Sequence, residues 1–221
     1  KVKNWYGNSY RGLTSLREAM AQSMNVIAVK TLNDVSPKIG YDYLLNLGFT
    51  TLVDNYTSQD GKTYTDISLP LALGGLTKGV TNLELTNGFA TIANQGLYHP
   101  AFFYTKIVDH DGNVLLDNTM NTDTRQVMKE STAWLLTSAM EDVILKGTGS
   151  RLKFKKINMP QAGKTGTSTG NRDLWFVGYT PYLTAGIWGG YDSGKKQTSL
   201  TYQKDLWRDT MEKLNQNYTK V

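Results

Sequence analysis

The stretch Gln161–Ser168, which reads QAGKTGTS, contains the first of three strand-like runs near the end of the chain. The other two runs are Asp173–Thr180 and Leu183–Tyr191. A tight turn at Thr180–Tyr182 joins the last two runs. Strands joined by so short a link are antiparallel neighbours in a sheet. The sequence therefore predicts a short antiparallel meander.

Four residues of the first run, Ala162–Thr167, are suited to binding. Strand alternation puts Thr165 and Thr167 on one side of the extended backbone and Lys164 on the other. Gly166 lets the main chain of a ligand approach closely. A cation and two hydroxyls on one strand indicate an edge that binds an anionic, peptide-like ligand.

Two other interpretations of this run stay open from the residues alone. A Thr-Gly-Thr-Ser cluster can be an ordinary turn. The run also resembles the end of a phosphate-binding loop, but that loop needs a glycine five positions before Gly163, where this chain has Asn158. The sequence therefore argues against a nucleotide site.

Helical patterns occupy much of the remaining chain. The stretch Gly147-Thr148-Gly149 follows the longest of them and is interpreted as a mobile connection to the first strand-like run. Helices before and after a meander predict an α/β fold of the α+β type, with an antiparallel sheet flanked by helices. Capping signals and apolar spacing predict one helix that begins after Ser15, and others over Tyr41–Leu47, Thr81–Asn94, Glu130–Leu145 and Gln203–Leu214.

Ser23 and Asn25 are two polar residues in the first helical region. In a continuous helix they would be rotated by about 200° and their side chains would point apart. Spacing alone favours that continuous helix, with the Ser23 hydroxyl bonded back to a carbonyl. Convergence on one ligand would instead require a break between pieces over Leu16–Gln22 and Val26–Leu32.

The sequence offers only weak candidates for metal ligands and for a catalytic histidine. Asp109, His110 and Asp111 precede Gly112 at a predicted hairpin tip, where these residue types ordinarily build the turn. The other histidine, His99, has no feature of a base. The sequence predicts no metal, no cofactor and no Ser-His-Asp triad.

Composition favours one folded domain over residues 1–221. Hydrophobic residues make up 39% of the chain, enough for a substantial core. The net charge of +5 could suit an anionic polymer, but no dense Lys/Arg run with interleaved aromatics is present, so nucleic acid is not an expected partner. The chain has no cysteine, which excludes disulfides and thiolate chemistry, and no apolar run of transmembrane length.

An ordered set of short motifs extends over nearly the whole chain. Because of these motifs, the chain resembles the transpeptidase domain of penicillin-binding proteins. The resemblance is strongest to the bifunctional class A enzymes of bacterial cell-wall synthesis. Lys-Thr-Gly alone is a weak motif, whereas the ordered set is specific. The stretches that carry the resemblance are Leu16–Met20, Ser23–Asn25, Gly74–Gly96, Gly147–Gly149, Ala162–Thr167 and Asp173–Gly178.

The resemblance assigns two of the three motifs of such enzymes, which are Ser-x-x-Lys, Ser-x-Asn and Lys-Thr-Gly. Ser23-Met24-Asn25 resembles the second, and Lys164-Thr165-Gly166 resembles the third. The family places its Ser-x-Asn at a break between helices, so the resemblance implies such a break at Ser23.

The resemblance also implies roles. Ser23 would relay protons, Asn25 would hold the substrate amide, and Lys164 would keep the site positive and bond towards Ser23. Thr165 and Thr167 would bind the terminal carboxylate of the substrate. The backbone N–H of Thr167 would join that of the nucleophile as an oxyanion hole.

The Ser-x-x-Lys motif is where the sequence departs from the family. It occurs only at Ser150–Lys153 and Ser193–Lys196, and both follow Ser-x-Asn instead of preceding it. The resemblance therefore implies a nucleophile before Lys1, on an N-terminal fragment of the same polypeptide. That fragment would also supply the first sheet strands, a glycosyltransferase domain and a membrane anchor, which implies an extracytoplasmic location.

Several functions fit these motifs. The resemblance implies a D,D-transpeptidase that acts on the D-Ala-D-Ala end of peptidoglycan stem peptides and is acylated by β-lactams. A non-catalytic wall-peptide-binding or sensor domain on the same fold would share the motifs if its upstream serine were absent. A D,D-carboxypeptidase and a serine β-lactamase are the other enzyme alternatives.

Overall fold

The computed structural model of the protein describes residues 2–7, 9–119 and 123–218, and within them it combines helices with antiparallel sheets, as predicted. Short 3-10 helices cover Leu69–Leu73, Ser150–Leu152 and Asn215–Asn217. The α-helices are α1 (Leu16–Ala21), α2 (Asn25–Val35), α3 (Pro37–Asn46), α4 (Asn82–Ala93), α5 (Glu130–Leu145) and α6 (Tyr202–Leu214). The strands are β1 (Tyr56–Thr57), β2 (Thr63–Tyr64), β3 (Leu97–Tyr98), β4 (Lys106–Val108), β5 (Val114–Asp117), β6 (Arg125–Gln126), β7 (Ala162–Thr167), β8 (Leu174–Tyr179) and β9 (Thr184–Gly189).

The main sheet has the order β7-β8-β9, and both pairings are antiparallel. The predicted meander is therefore confirmed. Ala162 lies opposite Tyr179 and Thr167 lies opposite Leu174, so β7 is paired with β8 along its whole length. This continuous pairing fixes the register of every side chain on β7.

Different helices cover the two faces of this sheet. On one face, α6 buries Trp207 and Met211 against Phe176 of β8. On the other face, Ala162 and Tyr179 pack with residues of α4 and α5. The sheet thus lies between α6 and the α4–α5 pair, which is the layered arrangement that burial of both faces requires.

The side chains of β7 alternate between these two faces. Thr165 lies opposite Phe176 and shares its α6 face, because directly opposed residues of neighbouring strands lie on the same face. Lys164 lies opposite Val177 on the other face. The predicted separation of Lys164 from the threonines is confirmed.

Most helix predictions hold. The bounds of α5 match the prediction, and α4 begins with a capping box in which Thr81 and Glu84 each bond the backbone of the other. The structure differs at α3, which begins at Pro37 instead of Tyr41. Proline suits the first turn of a helix because its missing N–H has no partner there.

The acidic stretch at the β4–β5 hairpin builds a turn, as predicted. The carboxylate of Asp109 accepts hydrogen bonds from the backbone N–H groups of Asp111 and Asn113. In the described part of the chain, no cluster of three or more His, Cys, Asp or Glu side chains is arranged to hold a metal ion. Among the same residues, no helix has the length and apolar character needed to cross a bilayer.

Candidate active site

The first component of the site is a turn at Ser23. Helix α1 ends at Ala21 and α2 begins at Asn25, so the continuous helix favoured by spacing is wrong and the break implied by the family resemblance is present. Ser23 has a φ of 52°, in the left-handed region. Such a conformation costs a residue other than glycine about 1–3 kcal/mol, so contacts around the turn must hold it.

Helix α1 is anchored in its first turn, by an N-cap and by bonds to α5. The hydroxyl of Ser15 accepts a hydrogen bond from the Glu18 N–H and caps the helix. Arg17 donates to the Ser138 carbonyl at 2.8 Å and to the Asp142 carboxylate at 3.0 Å, both on α5. These bonds fix the start of α1 against α5.

The Gly147-Thr148-Gly149 stretch joins the end of α1 to β7. The Thr148 N–H donates to the Ala21 carbonyl at 3.0 Å, and the Thr148 hydroxyl lies 2.8 Å from the Thr165 hydroxyl. A Cβ on Gly147 would lie 2.1 Å from the Ala21 carbonyl oxygen, so only glycine permits this approach. The mobile connection predicted from sequence is therefore a fixed contact, and Thr148 is a site residue that the prediction lacks, although a Gly-Thr-Gly pattern is itself a signal of a close backbone approach.

Lys164 connects β7 to the Ser23 turn. Its ammonium group donates to the Ser23 hydroxyl at 2.7 Å and to the Thr165 carbonyl at 3.0 Å. Burial, with a smaller contribution from the nearby Lys204, lowers the pKa of Lys164 from 10.5 to about 8. Near neutral pH, therefore, a fraction of Lys164 is a neutral amine in contact with Ser23, which suits proton transfer.

A second cation, Lys204 of α6, lies beside Thr148. Its ammonium group donates to the Thr148 carbonyl at 3.1 Å, and burial and then Arg151 lower its pKa. The adjacent Asp205 is paired with Arg151 and Arg208 instead. Within the described ranges, neither Lys164 nor Lys204 has a carboxylate partner, so their charges favour an anion at the Thr148–Thr165 hydroxyls.

Asn25, the first residue of α2, is at the same turn. Its side-chain N–H donates to the Lys3 carbonyl at 3.0 Å. An asparagine amide has two N–H donors and an acceptor oxygen, so this bond uses only part of its capacity. The structure thus keeps Asn25 beside Ser23 but bonds it to the N-terminal segment, not to Lys164.

Gly166 and Thr167 form the C-terminal end of β7. The side chain of Thr167 is exposed, whereas a Cβ on Gly166 would lie 3.1 Å from the Trp175 Cβ. Packing within the sheet is therefore a second reason for glycine at 166. The Ser168 N–H bonds to the Asp173 carbonyl across the hairpin, and since successive N–H groups of a strand point to opposite sides, that of Thr167 points away from β8.

The two Ser-x-x-Lys matches lie elsewhere. Ser150 begins the 3-10 helix over Ser150–Leu152, and Ser193 follows β9. Neither is among the residues bonded to Ser23 or Lys164. The structure brings together Ser23, Lys164 and Thr165, with Asn25 at the turn and Thr167 at the strand end.

Comparison with known proteins gives the family. The family model of the penicillin binding protein transpeptidase domain matches residues 1–212. Penicillin-binding protein 1F of Bacillus subtilis (strain 168) is 32% identical over 213 residues, which cover 93% of this chain and 28% of that protein. Penicillin-binding protein 4 of the same strain is 34% identical over 211 residues, which cover 94% of this chain and 31% of that protein.

The fold is shared with a solved penicillin-binding protein structure. The PonA1 protein of Mycobacterium tuberculosis, solved in complex with penicillin V, aligns with a TM-score of 0.82 at 24% identity. The alignment covers 100% of this chain and 61% of that one. The chain spans less than a third of the length of the two Bacillus relatives. The family model and the two Bacillus relatives confirm the resemblance to class A penicillin-binding proteins, and this chain belongs to the transpeptidase-domain family of penicillin-binding proteins.

Proposed function

We propose that this chain is part of a D,D-transpeptidase, which cross-links peptidoglycan stem peptides through an acyl-serine intermediate. The observation that carries the proposal is the hydrogen bond from the Lys164 ammonium to the Ser23 hydroxyl, at 2.7 Å and across 141 positions of sequence. It joins the Ser-x-Asn and Lys-Thr-Gly motifs into one site. The chain covers less than a third of the length of its Bacillus relatives. We therefore also propose that the nucleophile lies in another part of the polypeptide.

In the proposed acylation, a serine hydroxyl from the rest of the polypeptide attacks the carbonyl of the penultimate D-alanine. An ester forms, the peptide bond breaks, and the terminal D-alanine leaves as an amine. Ser23 takes the proton of the nucleophile and passes a proton to the leaving amine. Lys164 supports this relay because its cation stabilises negative charge on the Ser23 oxygen, and its neutral form can accept the Ser23 proton.

The substrate carboxylate is proposed to bind at the α6 side of β7. Thr165 and Thr167 share that face, and Lys204 supplies positive charge there through its bond to the Thr148 carbonyl. The side chain of Lys164 starts on the other face, but its ammonium group reaches the Thr165 carbonyl and adds to this charge. A site that binds an anion next to a strand suits the C-terminal end of an extended peptide. Gly166 would allow that peptide to approach the backbone.

Two further groups are proposed to stabilise the reacting amide. The Thr167 N–H, which points away from β8, would donate to the carbonyl oxygen as it gains negative charge. Loss of one such donor ordinarily costs about 3 kcal/mol of transition-state stabilisation. Asn25 would hold the amide of the stem peptide through its remaining hydrogen-bonding capacity. An amino group of a neighbouring stem peptide would then attack the ester, form the cross-link and return a proton to the serine oxygen.

The rest of the polypeptide is proposed to complete the site. In the described residues, β9 pairs only with β8, so its other edge is open to the first sheet strands of an N-terminal fragment. That fragment is also proposed to carry the nucleophile, a glycosyltransferase domain and a membrane anchor, with the site on the extracytoplasmic side. β-Lactams are proposed to acylate the same serine, in keeping with the penicillin V complex of the structurally similar PonA1.

Two measurements test this function: covalent labelling by a fluorescent penicillin, and release of D-alanine from a stem peptide. The full-length polypeptide is expected to be labelled covalently and to release D-alanine from a stem peptide only when an acceptor amine is converted to a cross-link. The isolated chain of 221 residues is expected to remain unlabelled. Labelling of the isolated chain would contradict a nucleophile on another segment.

The same two measurements separate the transpeptidase from the alternative functions. A wall-peptide-binding or sensor domain would bind the stem peptide without covalent labelling by penicillin. A D,D-carboxypeptidase would be labelled but would release D-alanine with water as the only acceptor. Either result would replace the transpeptidase proposal.

A further inference from the structure

The N-terminal segment that precedes α1 crosses the Ser23 turn. Three of its residues, Lys3, Asn4 and Trp5, bond to the turn, and we refer to Lys3–Trp5 as the strap. The Lys3 carbonyl accepts from the Asn25 side chain at 3.0 Å. The Asn4 side-chain oxygen accepts from the Val26 N–H at 3.1 Å, and the Trp5 indole donates to the Gln22 carbonyl at 2.8 Å.

These bonds satisfy groups that the helix break leaves without intrahelical partners. The first N–H groups of a helix and its last carbonyls need partners from outside. The N-cap residue of α2, Met24, has no side chain able to accept a hydrogen bond, and Asn4 caps that helix from a distance in sequence. Trp5 bonds the carbonyl at the C-terminal end of α1. The strap therefore holds the chain on both sides of Ser23.

Asn4 is itself fixed in orientation. Its side-chain N–H donates to the Tyr6 hydroxyl at 2.8 Å, which leaves the amide oxygen directed at Val26. The Gly7 N–H closes a turn onto the Asn4 carbonyl at 3.1 Å. Arg11 lies 4.3 Å from the centre of the Tyr6 ring and adds a cation–π contact. Both ends of the Asn4 amide thus have partners, so the oxygen that caps α2 is held in one orientation.

We propose that Asn4 is a positioning residue of the transpeptidase site, which holds Ser23 and Asn25 in the geometry needed for acylation. The inference rests on the proposed function. Asn4 acts through the backbone of Val26 and does not contact the substrate. Without its cap, the first turn of α2 has an unsatisfied N–H, and Ser23 can leave the left-handed conformation. Displacement of a catalytic group by about 1 Å is enough to reduce a rate about 10²-fold.

Variants of the full-length polypeptide test the proposal through the second-order rate of acylation by a fluorescent penicillin. Asn4→Ala is expected to lower this rate about 10- to 100-fold. Asn4→Asp keeps an acceptor oxygen at the N-terminus of α2, where a carboxylate is favourable, and is expected to restore the rate to within about threefold of wild type. Asn113→Ala removes an exposed, hydrogen-bonded asparagine at the β4–β5 hairpin and is the matched control.

Two results would overturn the proposal. One is an Asn4→Ala rate within about twofold of wild type. The other is equal loss in Asn4→Ala and Asn4→Asp with equally lowered melting temperatures, because a purely structural role would not be rescued by an acceptor alone. Hydrogen exchange of the Val26 amide gives a readout that does not depend on catalysis: it is expected to be faster in Asn4→Ala and unchanged in Asn113→Ala. If wild type is not labelled at all, the proposed function fails, while the exchange result still decides whether Asn4 caps α2.

Discussion

The Ser23 turn and strand β7 supply the two partners of the Ser23–Lys164 hydrogen bond, but they are built in different ways. Along β7, continuous pairing with β8 fixes each side chain by strand alternation. The turn holds an unfavourable backbone conformation through bonds from residues distant in sequence, which are the strap and Thr148. Substitutions on β7 should therefore remove chemistry while the fold persists, whereas substitutions around the turn should change geometry and stability together.

The largest effect is expected from Lys164→Met. Loss of the cation that bonds Ser23 should slow acylation of the full-length polypeptide by about 10²- to 10⁴-fold, the range of a positioned acid–base group. The melting temperature should stay the same or rise, since the substitution removes a buried charge that has no carboxylate partner in the described residues. Lys38→Met, which breaks an exposed pair with Asp42, is the control and should change neither quantity appreciably. Marked unfolding of Lys164→Met would make Lys164 a structural residue instead.

The pH dependence of stability tests the environment of Lys164. Its pKa is about 8 in the folded protein, against 10.5 for an ordinary lysine, so between these values the unfolded chain binds a proton that the folded protein does not. The free energy of unfolding should therefore rise with pH through this window and level off below about pH 8, where both the folded and the unfolded chain carry the proton. Relative to Lys164→Met, the transpeptidase domain should gain up to about 3 kcal/mol between pH 8 and 10.5. If the free energy of unfolding depends on pH in the same way in both proteins, the pKa of Lys164 is not lowered in the folded protein.

How much of the site follows from sequence differs between the two regions. The bounds of β7 and α5 are predicted because local periodicity specifies them. The Ser23 turn is not predicted by spacing, because the contacts that bend the chain there come from Asn4 and Thr148. Lys204 is missed for the same reason: its place beside Thr148 follows from the packing of α6 against the sheet. Only the resemblance to a family indicated the break.

A smaller effect is expected at the junction between the two regions. Gly147→Ala would put a Cβ 2.1 Å from the Ala21 carbonyl oxygen, a backbone atom that cannot move without shifting α1. The domain should be destabilised by about 1–3 kcal/mol, as for other overpacked positions, and acylation should slow in parallel. Thr148→Val keeps the backbone bond to Ala21 and removes only the hydroxyl, so it should lower acylation with less loss of stability. Equal destabilisation by both variants would show that the close approach at Gly147 is not what holds α1.

The smallest effect separates backbone strain from chemistry at Ser23 itself. Ser23→Ala keeps the strained conformation and removes the hydroxyl, whereas Ser23→Gly removes the hydroxyl and relieves the strain. The glycine variant should be more stable than the alanine variant by about 1 kcal/mol. Both should lose acylation to a similar extent, because both lack the relay oxygen. Equal stability of the two variants would mean that the turn relaxes out of the left-handed region at little cost.

A crystal structure of the full-length polypeptide acylated by penicillin tests the central claim most directly. We predict that the Ser23 hydroxyl remains bonded to Lys164 and lies within hydrogen-bonding distance of the leaving nitrogen of the opened lactam. The penicillin carboxylate should contact the hydroxyls of Thr165 and Thr167. An acyl-serine whose carboxylate and leaving nitrogen lie away from Ser23, Lys164 and both threonines would contradict the account.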